Sequence, residues 1–122
     1  MINPIYNLPD IKFVGGESQR FVFDLVTIYD SKFDAKNCDV GFAIINYANK
    51  NGKPVVVKSM ETVEDNNGFF SIITVKLDPQ DTLNMHGRYI YQISIRDPEG
   101  NTEIPGQGLM DILKNIHTSF IN

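Results

Sequence analysis

The chain has no tryptophan, one cysteine and only two histidines in 122 residues. A lone Cys38 rules out an internal disulfide, so the fold must be held by packing. Small secreted domains commonly depend on such bridges, and the count therefore points to assembly in a reducing compartment. His86 and His117 stand apart, and neither has a second His, Cys or carboxylate at metal-ligand spacing. Their expected place is the surface or a subunit contact. No run of Lys or Arg concentrates positive charge, and 11 basic against 15 acidic side chains leave a net charge of -4. A surface that tracks phosphates is excluded, and nucleic acid with it. No stretch approaches the roughly 18 apolar residues of a membrane span, so no membrane is expected as a partner. The start, Met1 to Asp10, has no basic residue and carries two prolines, which is not the pattern of an export signal.

What remains is a composition that builds a core. Hydrophobic residues make up 42% and charged residues 21%, ordinary values for one globular domain of this length. Pro4 and Pro9 forbid a regular helix at the start and predict an extended N-terminal arm over 1–10, with a single domain over 11–122. After the strand-like Ile11 to Val14, the spacing becomes two. Phe21, Phe23 and Leu25 share one face, with Arg20 and Asp24 on the other. Val40 to Tyr47 is apolar on both faces. Asn51-Gly52 predicts a tight hairpin with both residues at positive φ, returning through Pro54 to Val63. Asn67-Gly68 turns the chain into Phe69 to Leu77. Asp78 and Pro79 predict a short helix near 79–85, with Gly87 ending it. Tyr89, Tyr91, Ile93 and Ile95 form the buried face of the clearest strand, and Asp97 to Asn101 is a turn. Leu109, Ile112, Leu113 and Ile116 fit a helix as well as a strand; a strand is expected, because the preceding strand otherwise lacks a partner. About seven strands follow, and the fold class is all-β: an immunoglobulin-like antiparallel β-sandwich.

The chemistry-bearing residues have bland readings. Gly15-Gly16 lacks the further glycines and the following helix of a phosphate loop, so it is a turn or bulge. Asn37 and Asp39 make the surroundings of Cys38 acidic, which raises a thiol pKa and argues against a nucleophile. Asp30, Asp34, Asn37 and Asp39, like Glu64 to Asn67, are rich in oxygen but lack the spacing of a calcium loop. Nothing in the sequence calls for a metal or cofactor. With no triad histidine and no cofactor fingerprint, the chain reads as a non-enzyme. A glycan-binding face would need exposed rings, and Tyr6, Tyr29 and Tyr47 are the candidates.

Two stretches carry a resemblance. Phe13 to Leu25 and His86 to Asn101, the latter continued by Pro105 to Gly108, together with the Asn51-Gly52 hairpin, resemble the immunoglobulin-like N-terminal module of upper baseplate proteins in phages of Gram-positive bacteria. That resemblance implies a structural or assembly part of a virion, made in the host cytoplasm, which contacts other virion proteins as a homo-oligomer. Ile2, Ile5, Tyr6 and Leu8 on the arm are the expected partner-binding residues, since a monomer has little reason to expose them. The alternative function is a carbohydrate-binding module for a cell-surface glycan.

Overall fold

A computed structural model describes residues 8–25 and 34–121. Among them eight strands form two layers, one more than the sequence count. The larger sheet contains β1 (Ile11–Val14), β3 (Asp39–Asn46), β4 (Val56–Ser59), β7 (Gly87–Arg96) and β8 (Thr102–Leu113) in the order β1-β8-β7-β3-β4. The smaller contains β2 (Gln19–Asp24), β5 (Glu61–Val63) and β6 (Ile72–Leu77) in the order β2-β6-β5. All pairings are antiparallel except β1 with β8. The architecture is the expected immunoglobulin-like β-sandwich.

Alternation explains which side chains meet between the layers. In β7, Tyr89, Tyr91, Ile93 and Ile95 are all buried, as are Phe23 of the smaller sheet and Leu25 just past the end of β2. Phe21 is half-buried against the same core. A chain of rings ties the layers together: Phe13 to Phe21, Phe21 to Phe42, Phe42 to Tyr91 and Tyr91 to Phe23, with centroids 5.8–6.3 Å apart. Tilted and stacked pairs at this spacing add about 1 kcal/mol each beyond their buried area.

The chain changes sheet four times, and named residues account for two of those crossings. Gly15-Gly16 carries the chain from β1 to β2, as the turn reading requires. A Cβ on Gly15 would lie 2.6 Å from the Thr82 carbonyl, and Gly16 holds φ at +90°. The Gly16 amide donates to Thr82 Oγ1 at 3.0 Å, and Asn115 Nδ2 donates to the Gly15 carbonyl at 2.7 Å. The other corrects an expectation, because Pro54 to Val63 is not one strand. Buried Met60 donates its amide to Val40 at 2.8 Å, and the chain leaves β4 there to start β5 in the opposite sheet.

The Asn51-Gly52 turn also differs from expectation. Neither residue has positive φ. Asn46 Oδ1 instead accepts from the Ala48 amide at 2.8 Å, and this cap starts a 3-10 turn over Tyr47–Asn49 that lengthens the loop. In the second Asn-Gly pair only Gly68 is left-handed. Phe69 to Ser71 belong to the loop before β6, gathered by Asp65, whose Oδ1 accepts from the amides of Asn67 and Phe69. The helix is one turn, α1 (Pro79–Thr82), with the Asp78 amide donating to Asp81 Oδ2 at 2.7 Å. Gly87, at φ +108°, opens β7 rather than ending that helix. The turn over Asp97 to Asn101 forms as read, with Gly100 at φ +91°. The ambiguous last segment is a strand as far as Leu113 and pairs with β7.

Candidate interaction surface

The outward side of the five-stranded sheet presents its residues in rows fixed by strand register. One row runs Arg88–Asp111–Lys12 across β7, β8 and β1. The next runs Ile45–Ile90–Leu109 across β3, β7 and β8. The third runs Val57–Ala43–Gln92–Gln107, and the fourth Ser59–Gly41–Ser94. The last pairs Asp39 with Arg96. An apolar and small-residue band therefore lies between two charged rows. Arg88 Nε meets Asp111 Oδ1 at 3.0 Å, and Arg96 meets Asp39 Oδ2 at 3.0 Å. Such exposed pairs add at most about 1 kcal/mol to stability, so their effect is to mark the polar limits of the band. The Asp111 hydrogen bond holds the Arg88 guanidinium pKa above its ordinary value.

The band is not level. Lys50 and Pro54 of the β3–β4 loop rise beside Ala43, Ile45, Ile90, Gln92 and Gln107 to wall a hollow of about 360 Å³. A second hollow of about 270 Å³ shares Ile90 and Gln107 and is closed by Leu8, Asp10, Gly108 and Leu109. Together they form a shallow trough across β8, β7 and β3. Gln107 Nε2 donates to Gln92 Oε1 at 2.7 Å, and Gln92 Nε2 donates to Ser94 Oγ at 3.1 Å, so the polar floor is already ordered. Val57, 71% exposed, extends the apolar surface onto the edge strand β4. An apolar centre within a polar rim is the usual anatomy of a protein-docking surface.

Of the four arm residues singled out in the sequence, Ile2, Ile5 and Tyr6 lie outside the described residues. Leu8 is half-buried against the core and packs 3.4 Å from where a Gly106 Cβ would sit. Next to it, the buried Tyr91 phenol reaches over Gly108 and donates to the Pro9 carbonyl at 2.5 Å. The chain upstream of β1 is thus fastened at the rim of the trough. No local pattern in the chain announces the trough, because Ile45, Ile90 and Leu109 come from three separate strands. The one available hint was that β3 is apolar on both faces.

The remaining candidates stay separate. His86 is exposed and accepts the Tyr89 phenol through its carbonyl at 3.3 Å; His117 is exposed beside Phe120. Burial, then the charges of Asp97, Asp34, Asp39 and Glu103, push the Cys38 thiol up. Asp34 Oδ1 is taken by the amides of Lys36 and Phe70, while Asp30 lies outside the described residues. Among the described residues no group of three or more His, Cys, Asp or Glu is placed to hold a metal ion. Tyr47 is exposed, with Lys50 Nζ 4.1 Å from its ring centre; Tyr6 and Tyr29 lie outside the described residues.

Neither a family model nor a curated protein sequence matches the chain. Solved structures match in fold. CopC from Methylosinus trichosporium OB3b aligns with a TM-score of 0.54 at 9% identity, over 93% of this chain and 96% of that one. The SrpA adhesin from Streptococcus sanguinis, in a mutant form, aligns with a TM-score of 0.51 at 16% identity, over 100% of this chain and 62% of that one. At these identities the likeness is one of architecture: the chain shares a two-layer β-sandwich with both.

Proposed function

We propose that this domain is a non-enzymatic protein-interaction module, a structural or assembly part of a phage virion such as its tail or baseplate. The observation that carries the reading is the Ile45–Ile90–Leu109 row, framed by ion-paired rows on the broad face of the larger sheet. That face supplies apolar area for docking and a charged rim for orientation. The virion assignment rests on the resemblance of Phe13 to Leu25 and His86 to Gly108 to baseplate modules. In a particle with many copies, a weak contact suffices, because neighbours hold each other at high effective concentration. Contacts with other virion proteins and with further copies of the chain follow from this reading.

The experiment is mass spectrometry of particles purified from an infected culture. The chain should appear in the purified particles at a stoichiometry fixed relative to a major structural protein. Its absence from particles, with abundant free protein in the lysate, contradicts the virion role.

A further inference from the structure

We infer that the trough on the larger sheet seats Ile116 and Phe120 of a second copy of this chain, joining copies head to tail. The inference rests on that face being the docking surface and names what docks there. After β8 the chain forms a hook over 115–121. Asn115 Nδ2 donates to the Gly15 carbonyl at 2.7 Å, and Asn115 Oδ1 accepts from the His117 amide at 2.7 Å. A 3-10 turn over Thr118–Phe120 follows, with the Phe120 amide donating to the His117 carbonyl at 3.1 Å. Ile121 packs back on the turn between β1 and β2, 3.6 Å from where a Gly16 Cβ would sit. The hook is thus fastened at both ends, yet Ile116 is 96% exposed and Phe120 80%, more than any other large apolar side chain among the described residues.

A fixed apolar projection and an apolar hollow on one molecule are complementary shapes. The trough has room for both side chains, since its hollows measure about 360 and 270 Å³ over Ala43, Ile45, Ile90 and Leu109. Segment 114–121 carries Lys114 and no acidic side chain, while Asp10 stands at one end of the trough, so charge orients the hook. A copy does not fill its own trough. Asn115 holds the hook at the crossing from β1 to β2, and the Arg88–Asp111–Lys12 row lies between the strand ends and the Ile90–Leu109 row. Hook and trough are different surfaces, so each copy uses both, and the contact repeats along a row or closes a ring. Its area sets its strength. The two side chains remove roughly 300 Å² from water, against about 800 Å² per partner in a stable pair. One junction is weak and acts where copies are crowded, as in a particle.

The test is sedimentation equilibrium of the full chain at concentrations up to about 1 mM. One variant, Ile116→Asp with Phe120→Asp, removes the projection; the other, Ile90→Lys, blocks the trough; circular dichroism checks that both are folded. The parent's average mass should rise with concentration without levelling at a dimer, and each variant alone should stay a monomer. Mixed in equal amounts, the two variants should associate again and level at a dimer, because one intact hook meets one intact trough. A parent that stays monomeric overturns the inference. A hook variant that associates as the parent does also overturns it, because another surface then makes the contact, and so does a mixture that stays monomeric. Loss of Ile90→Lys from particles after any of these failures assigns the face to a different virion protein, so the two readings fail separately.

Discussion

The ring of Tyr91 fills the space that Gly108 leaves open on the neighbouring strand. The two residues are register partners, and a Cβ on Gly108 would lie 2.5 Å from Tyr91 Cζ and 2.7 Å from its phenol oxygen. The glycine is what lets a fully buried tyrosine pass between β7 and β8 to reach the Pro9 carbonyl. One side chain thereby joins the core ring chain, the sheet and the entry of the N-terminal segment.

Gly108→Ala should accordingly be among the costly single-methyl changes in the protein. The ring cannot retreat, since Phe23 and Phe42 stack within 6 Å on its sides. Overpacking of this kind costs about 1–3 kcal/mol. Urea denaturation should show a lower midpoint with an unchanged slope, and Gly41→Ala, where nothing lies within 4 Å of the new methyl, should leave the midpoint within about 0.5 kcal/mol.

Burial first, and then the charge of Asp10, pushes the Tyr91 phenol pKa up to about 12. In the unfolded chain the same group titrates near 10. Between those values the unfolded chain gives up its proton and the folded one keeps it. The contribution is therefore complete below about pH 10 and is lost as pH rises toward 12. Tyr91→Phe should be less stable by about 1 kcal/mol at pH 7, through the lost hydrogen bond, and should lose less stability than the parent between pH 10 and 12. Denaturation midpoints measured across that range decide it; parallel curves would contradict the assignment.

Loop integrity before β6 should depend on Asp65. Its Oδ2 accepts from the hydroxyl of Ser71, which is fully buried, and its Oδ1 binds two amides. Asp65→Ala strands those donors and should cost about 2 kcal/mol, read by thermal denaturation. Adding Ser71→Ala to it should cost little more, because the orphaned hydroxyl is then gone. Full additivity of the two changes would show that the hydroxyl does not depend on Asp65.

Much of the sandwich was legible where one strand decides its own pattern. Phe21, Phe23 and Leu25, and Tyr89 through Ile95, announce a buried face by spacing alone, and Asp97 to Asn101 announces its turn. What was not legible depends on partners far along the chain. Met60 divides one apparent strand into β4 and β5 because its side chain finds the core while its amide finds Val40. Asn51-Gly52 lost its expected turn because Asn46, five residues earlier, caps a competing 3-10 turn. The trough needs Ile45, Ile90 and Leu109 brought side by side, which only register supplies. The choice of arm residues for partner binding rests on composition, and of the four only Leu8 is among the described residues, at the trough's rim.

Ile90→Lys tests the central claim most directly, since it puts a charge in the middle of the apolar band and leaves the core untouched. Ile90 sits on the outward side of β7, so stability should change by less than about 1 kcal/mol. Particles grown with the substituted chain in place of the parent should contain less than about a tenth as much of it, a loss worth roughly 1.4 kcal/mol of docking energy. Incorporation equal to the parent's, with the fold intact by circular dichroism, would contradict the account.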